Sequence, residues 1–239
     1  MTTKKSTNRL TRWALTQFPS MRARSQFAGL ILGGALLGSL PGCDDPADDV
    51  AAATVQQGEA PPVEPATPVD PASVETLAFS NEGSTIGFVG SKVNGSHDGG
   101  FNEFSGTIEF NPEDATASQI EVTIQTASLF ADDERLTGHL KNEDFFNVAE
   151  IPTASFRSTA IVAGGDGEAT HTITGVLNMH NEENTISFPA TVVIAENSVT
   201  ARAEFSINRT EFGMSYPGMQ DNLIRERVVI KLDISAPRS

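Results

Sequence analysis

The 239-residue chain has one cysteine, one tryptophan and one tyrosine. With Cys43 alone, an internal disulfide and a multi-cysteine metal cluster are both excluded. Basic residues are also scarce: 16 Lys/Arg stand against 31 Asp/Glu, a formal charge of −15. Six of the basic residues and none of the acidic ones fall in residues 1–42, so a chain cut before Cys43 would carry −21. That charge repels phosphate backbones and excludes nucleic acid as a partner. It also repels anionic lipid surfaces. No apolar run reaches the roughly 20 residues of a membrane-spanning helix. There is no Gly-x-Ser-x-Gly elbow, no phosphate-binding glycine loop and no metal-type Cys/His spacing. The four histidines are His97, His139, His171 and His180, and the last two would face opposite ways on a continuous strand. The chain reads as a non-enzyme without metal or cofactor.

What is present begins with a short apolar run, Phe27–Leu40, preceded by Arg22 and Arg24 and followed by Pro41-Gly42-Cys43. A basic start, a short apolar stretch and small residues before a cut site describe an export signal over residues 1–42, with Met21 as the compact start. A cysteine at this place has the form of a bacterial lipoprotein signal, in which the Cys43 thiol is acylated and anchors the chain to a membrane. Leu40 and Gly42 suit that pattern and Pro41 is unusual in it. Plain secretion with an incidental thiol is the other reading. Residues 43–77 are acidic and proline-rich, with no Lys, Arg or aromatic side chain, and read as a disordered tether.

The remainder, residues 78–239, alternates with period two. Eight segments carry an apolar stripe, from Ile86/Phe88 and Phe104/Ile108/Phe110 through Val122/Ile124, Phe156, Leu177 and Phe188 to Phe205/Ile207 and Val228–Ile234. The prediction is all-β: eight antiparallel strands closed into a barrel, although a two-sheet sandwich carries the same pattern. Gly90, Gly106, Ala154, Gly175, Ala190, Ala201 and Ala203 recur on the inner stripes. They either leave a central cavity or complement the large side chains of a solid core. Asp132-Asp133-Glu134 followed by Leu136 and Leu140 predicts one short helical insert. Lys92 shares the inward parity of Ile86, Phe88 and Gly90 and would stand at a rim, meeting either a ligand head group or a structural ion pair. His139 on the insert and Arg209 at a strand end are further polar candidates. Their structural alternatives are a helix-end hydrogen bond for His139, and a pair with Glu211 or Asp221 for Arg209.

Several segments together resemble the YceI-like family of bacterial periplasmic proteins. They are Phe101–Phe110, Ile120–Ser128, Gly138–Val148, Ile151–Thr159, Ile173–Met179 and Phe205–Gly213, in family order, covering about residues 79–237. The resemblance implies a lipocalin-like barrel that binds a polyisoprenoid lipid. A wall of Phe88, Phe104, Ile108, Phe110, Val122, Ile124, Phe156, Leu177, Phe188, Phe205 and Ile207 would then face the lipid, with Lys92, His139 and Arg209 near its head group. Three features depart from the family. Lys92 replaces a common histidine, the spacing from Arg135 to His139 is one residue longer than in many members, and His180–Asn184 replaces a Gly-Val-Thr-Lys turn. A solid-core envelope scaffold that binds a protein partner is the competing expectation. Both readings place the chain in the bacterial cell envelope.

Overall fold

The computed structural model describes residues 45–58, 74–165, 167–220 and 222–238. Two short strands come first, β1 (Ala51–Ala52) and β2 (Thr54–Gln57). Six follow: β3 (Glu75–Ser80), β4 (Thr85–Lys92), β5 (Gly95–Phe101), β6 (Phe104–Phe110), β7 (Gln119–Gln125) and β8 (Leu129–Ala131). Helix α1 (Glu134–Leu140) is next, capped at Asp133, whose carboxylate accepts from the Leu136 N–H. The last six strands are β9 (Thr153–Ala163), β10 (His171–Met179), β11 (Glu182–Ile194), β12 (Ser198–Asn208), β13 (Gly218–Met219) and β14 (Asn222–Pro237).

The main sheet runs β3-β6-β7-β9-β10-β11-β12-β14-β4-β5-β8, with every neighbour antiparallel. It curls so that the far end of β14 meets the β3 edge. Just beyond β14, Arg238 grips Glu75 through two hydrogen bonds of 2.9 and 2.6 Å, and its guanidinium lies 5.1 Å from the centre of the Phe110 ring. The Arg238 hydrogen bond holds the Glu75 carboxyl below its usual range, against a lesser opposing push from desolvation. A carboxyl depressed in the folded state stabilises it fully above the unfolded titration range and loses that contribution as pH falls through the folded value. Glu75→Gln should therefore lower the urea midpoint at pH 7 and bring it closer to wild type below pH 4. Parallel denaturation curves at the two pH values check this.

Three strands of the main path escape the eight-strand expectation. β5 reads Gly-Ser-His-Asp-Gly-Gly-Phe, with no apolar stripe to signal it. β8 is three residues long, and β3 starts inside the proline-rich segment. The tether reading also changes. β11 pairs with β12 only through Thr191–Ile194, and beyond that point the two strands part. β1 and β2 fill the opening. Ala51 and Ala52 lie parallel beside Phe205 and Ser206, and Thr54–Gln57 run antiparallel beside Ser187–Asn184. The parted strands offer backbone donors and acceptors that need partners, and this segment supplies them. Residues 45–58 are thus part of the wall, while residues 59–73 and Cys43 lie outside the described residues.

Candidate binding cavity

The sheet encloses a cavity of about 470 Å³, within the range of small-molecule sites. Its base is a closed cluster in which β3 supplies Leu77 and Phe79, packed with Phe104, Ile108, Phe110, Val199, Ile234 and Ala236. Its middle is walled by Ile173, Ile186, Phe188, Phe205 and Ile207, with the Phe188 and Phe205 rings stacked at 4.2 Å. Its upper end runs beneath α1, beside Phe101, Leu136, Leu140, Phe145, Phe146, Tyr216 and Ile224. Phe88, Val122, Ile124, Phe156 and Leu177 point into the cavity yet stay only half-buried, because their accessible area faces the hollow. Among the described lining residues only Met219 is exposed to solvent, which places the mouth at the β13 hairpin and the neighbouring end of β4.

The small inner residues divide into two groups. Gly106 and Gly175 are covered by rings: a Cβ there would stand 2.2 Å from Phe79 and 2.4 Å from Phe156. Gly90, by contrast, faces open space, and Ala201 and Ala203 line the hollow. Nine of the eleven expected wall residues line the cavity. Phe104 and Phe110 do not; they pack into the base because β3, invisible to the strand reading, lies beside β6 and its Leu77 and Phe79 join their cluster.

All three polar candidates line the cavity, in different states. Arg209 is 4% exposed. Its Nε donates to the Arg225 carbonyl at 3.1 Å, its Nη2 to the Ile224 carbonyl at 3.4 Å, and its Nη1 to the Met214 carbonyl. Between Ile224 and Val228, β14 bulges while β4 passes only from Lys92 to Gly90. The bulge takes backbone groups out of the ladder, and Arg209 pairs with two of its carbonyls. Burial lowers the Arg209 pKa, and the Glu226 charge opposes the shift. Main-chain carbonyls, rather than Glu211, thus occupy this guanidinium, and Asp221 lies outside the described residues. His139 Nε2 lies 3.1 Å from an Asp144 carboxylate oxygen, with edge contacts to Phe145 and Tyr216. Lys92 is half-buried at the mouth and, among the described residues, makes no ion pair within 4 Å. Sequence reasoning gave no role to His97, which also lines the mouth and binds Asp132 at 2.8 Å. It lies on β5, where the polar sequence conceals the inward parity.

No group of three or more His, Cys, Asp or Glu side chains could hold a metal ion among the described residues. What the arrangement can do is enclose an apolar molecule and meet one polar end of it at Lys92. The YceI-like domain family matches residues 77–236. The chain belongs to the YceI-like family. A UPF0312 protein of Pseudomonas syringae pv. tomato is 34% identical over 126 residues, which cover 50% of this chain and 65% of that protein, so the chain spans about two thirds of the length of these curated relatives. A UPF0312 protein of Shewanella denitrificans is 31% identical over 138 residues, covering 57% and 71%. Among solved structures, Burkholderia cenocepacia BcnA superposes with a TM-score of 0.60 at 26% identity, over 66% of this chain and 99% of its own. A polyisoprenoid binding domain from Saccharophagus degradans, implicated in plant cell wall breakdown, gives 0.54 at 14% identity, over 70% and 99%. At that identity it shares the fold alone. In this YceI-like chain, α1 and the β13 hairpin flank the upper end of the cavity.

Proposed function

We propose that this YceI-like protein binds one long apolar lipid, a polyisoprenoid, in its cavity, and that it does so in the cell envelope, anchored through an acylated Cys43. The observation that carries the reading is the 470 Å³ hollow, walled by apolar side chains from eleven strands and open at a rim that bears Lys92. The family membership and the fold shared with a polyisoprenoid binding domain support it. Magnitudes show where specificity must arise. Burial contributes about 0.8 kcal/mol per CH₂ relative to water. A chain of roughly 40 carbons would nominally give about 30 kcal/mol, above the practical ceiling near 20. A lipid in a bilayer is already dry, so net capture depends on cavity fit and head-group contact.

Lys92 sets the head-group preference. An ammonium at the end of an apolar channel is costly without a partner, and an anionic head supplies a charge-assisted hydrogen bond. The protein should favour a prenyl phosphate over a quinone of equal chain length. Lys92→Met keeps the apolar volume and should remove that preference, with the phosphate weakened about tenfold and the quinone unchanged. Competition binding of the two ligands checks this, and equal behaviour of mutant and wild type would sink the head-group assignment.

Mass spectrometry of gently purified protein, native and then denatured, tests the whole reading. One extractable prenyl lipid per chain and acyl mass on Cys43 are expected. A lipid-free protein that takes up no added prenyl lipid would leave the barrel as a scaffold.

A further inference from the structure

The geometry points to a membrane-seating lip: Val93, Met219 and Leu223 set the cavity mouth on a bilayer surface, and the segment beginning at Asp45 fixes that orientation. This rests on the lipid-binding reading and adds the surface from which the lipid is taken. The three side chains are 50%, 69% and 49% exposed. They are neighbours through the backbone: the Val93 N–H donates to the Leu223 carbonyl at 3.2 Å, and Met219 pairs with Asn222 in the β13–β14 hairpin. Single exposed apolar residues are ordinary. These three adjoin Lys92, Asn222 and Ile224, all of which line the cavity, as Met219 itself does. The apolar lip is therefore continuous with the apolar interior, and a lipid could pass between bilayer and cavity without crossing water.

The second observation is where the chain joins the barrel. Asp45 is only 7% exposed. One of its carboxylate oxygens accepts from Ser91 Oγ at 3.2 Å and from the Ala47 N–H at 3.1 Å, and the other lies 3.4 Å from Arg225 Nη1. Ser91 is two residues from Val93, and Arg225 two from Leu223, so Asp45 is docked on the outer wall about 7 Å below the lip. Beyond it Ala47 is buried against Val89 and Val229, and Arg227 holds the Ala47 carbonyl at 3.0 Å and the Asp48 carboxylate. Cys43 is two residues upstream of Asp45, within about 7 Å of chain. A chain attached to a membrane at that point meets it with the mouth, because the closed base lies at the other end of the strands. The strong acidic excess excludes attraction to anionic lipid, so the seat is apolar and suits a zwitterionic surface.

The test uses the full chain expressed with its own leader. Transfer of a fluorescent polyprenyl probe from phosphatidylcholine vesicles is compared with its uptake from detergent-dispersed solution. The double variant Val93→Asp/Leu223→Asp, at the two lip residues outside the cavity lining, should slow vesicle transfer at least tenfold and leave detergent uptake within twofold. The control Val193→Asp, on a residue 55% exposed near the far end of β11, should change neither. Transfer at the wild-type rate in the double variant, or equal slowing by the control, overturns the seat. If wild type takes up the probe by neither route, the lipid-binding reading fails, and the seat is judged without ligand. An indole introduced by Met219→Trp should lose at least half its emission with brominated lipids, against little loss for Val193→Trp. Equal emission loss in the two variants would overturn the seat on its own.

Discussion

Ala203→Phe should abolish uptake of a fluorescent polyprenyl probe while changing the unfolding free energy by less than about 1 kcal/mol. Ala203 pairs with Leu232 across β12 and β14 and faces the hollow beside the stacked Phe188 and Phe205 rings. A phenyl group there occupies volume that a ligand would use. In a filled core the same enlargement overpacks and costs about 1–3 kcal/mol. Gly106→Ala is the internal contrast. Its Cβ would stand 2.2 Å from the Phe79 ring and 2.7 Å from the Glu121 carbonyl, so one added methyl should destabilise by about 1–3 kcal/mol and spare binding in whatever fraction stays folded. Binding isotherms and denaturation curves on the two variants separate cavity from core. A large stability loss in Ala203→Phe with no ligand detected in wild type would overturn the hollow.

Arg209→Met should have the largest effect on stability, a loss of about 3–5 kcal/mol. Each hydrogen bond from a charged donor contributes about 1.5–3 kcal/mol, and the substitution leaves the Met214, Ile224 and Arg225 carbonyls without their donor. Those carbonyls hold the segment running from the end of β12 through the β13 hairpin to the β14 bulge. The damage should concentrate there, as faster amide exchange around residues 214–225. Arg209→Lys keeps the charge but lacks the planar fork that spans three acceptors, and should recover less than half of the loss. Full recovery with lysine would show that charge alone suffices and that the bulge needs no clamp.

The inward stripe was legible because period-two alternation is a local property of the chain. One face of each strand must avoid water, so Phe88, Ile108, Val122, Ile124, Phe156, Leu177, Phe188, Phe205 and Ile207 declared themselves by spacing. All nine line the cavity. Helix α1 was legible for the same reason: the acids Asp132-Asp133-Glu134 at its start and Leu136 with Leu140 at four-residue spacing are short-range signals. Lys92 could be placed inward because the pleat transmits parity from Ile86 along one strand.

Sequence alone therefore determined the β class, the inner faces, the acidic surface and the family pattern, all of which depend on neighbours a few residues apart or on composition. Tertiary structure decided the rest, because each remaining feature depends on a partner distant in the chain. Whether small inner residues leave space depends on the ring opposite, and Phe79 covers Gly106 while open space faces Gly90. Phe104 and Phe110 left the cavity wall for the base because β3, from a segment whose composition reads as disordered, brought Leu77 and Phe79 to them. Residues 51–58 have little apolar surface of their own, and they are ordered by the seam between β11 and β12, more than 120 residues away. Arg209 became a clamp because a bulge in β14 released the carbonyls it binds. Alternation shows which way a side chain points, and only the assembled sheet determines what it meets there.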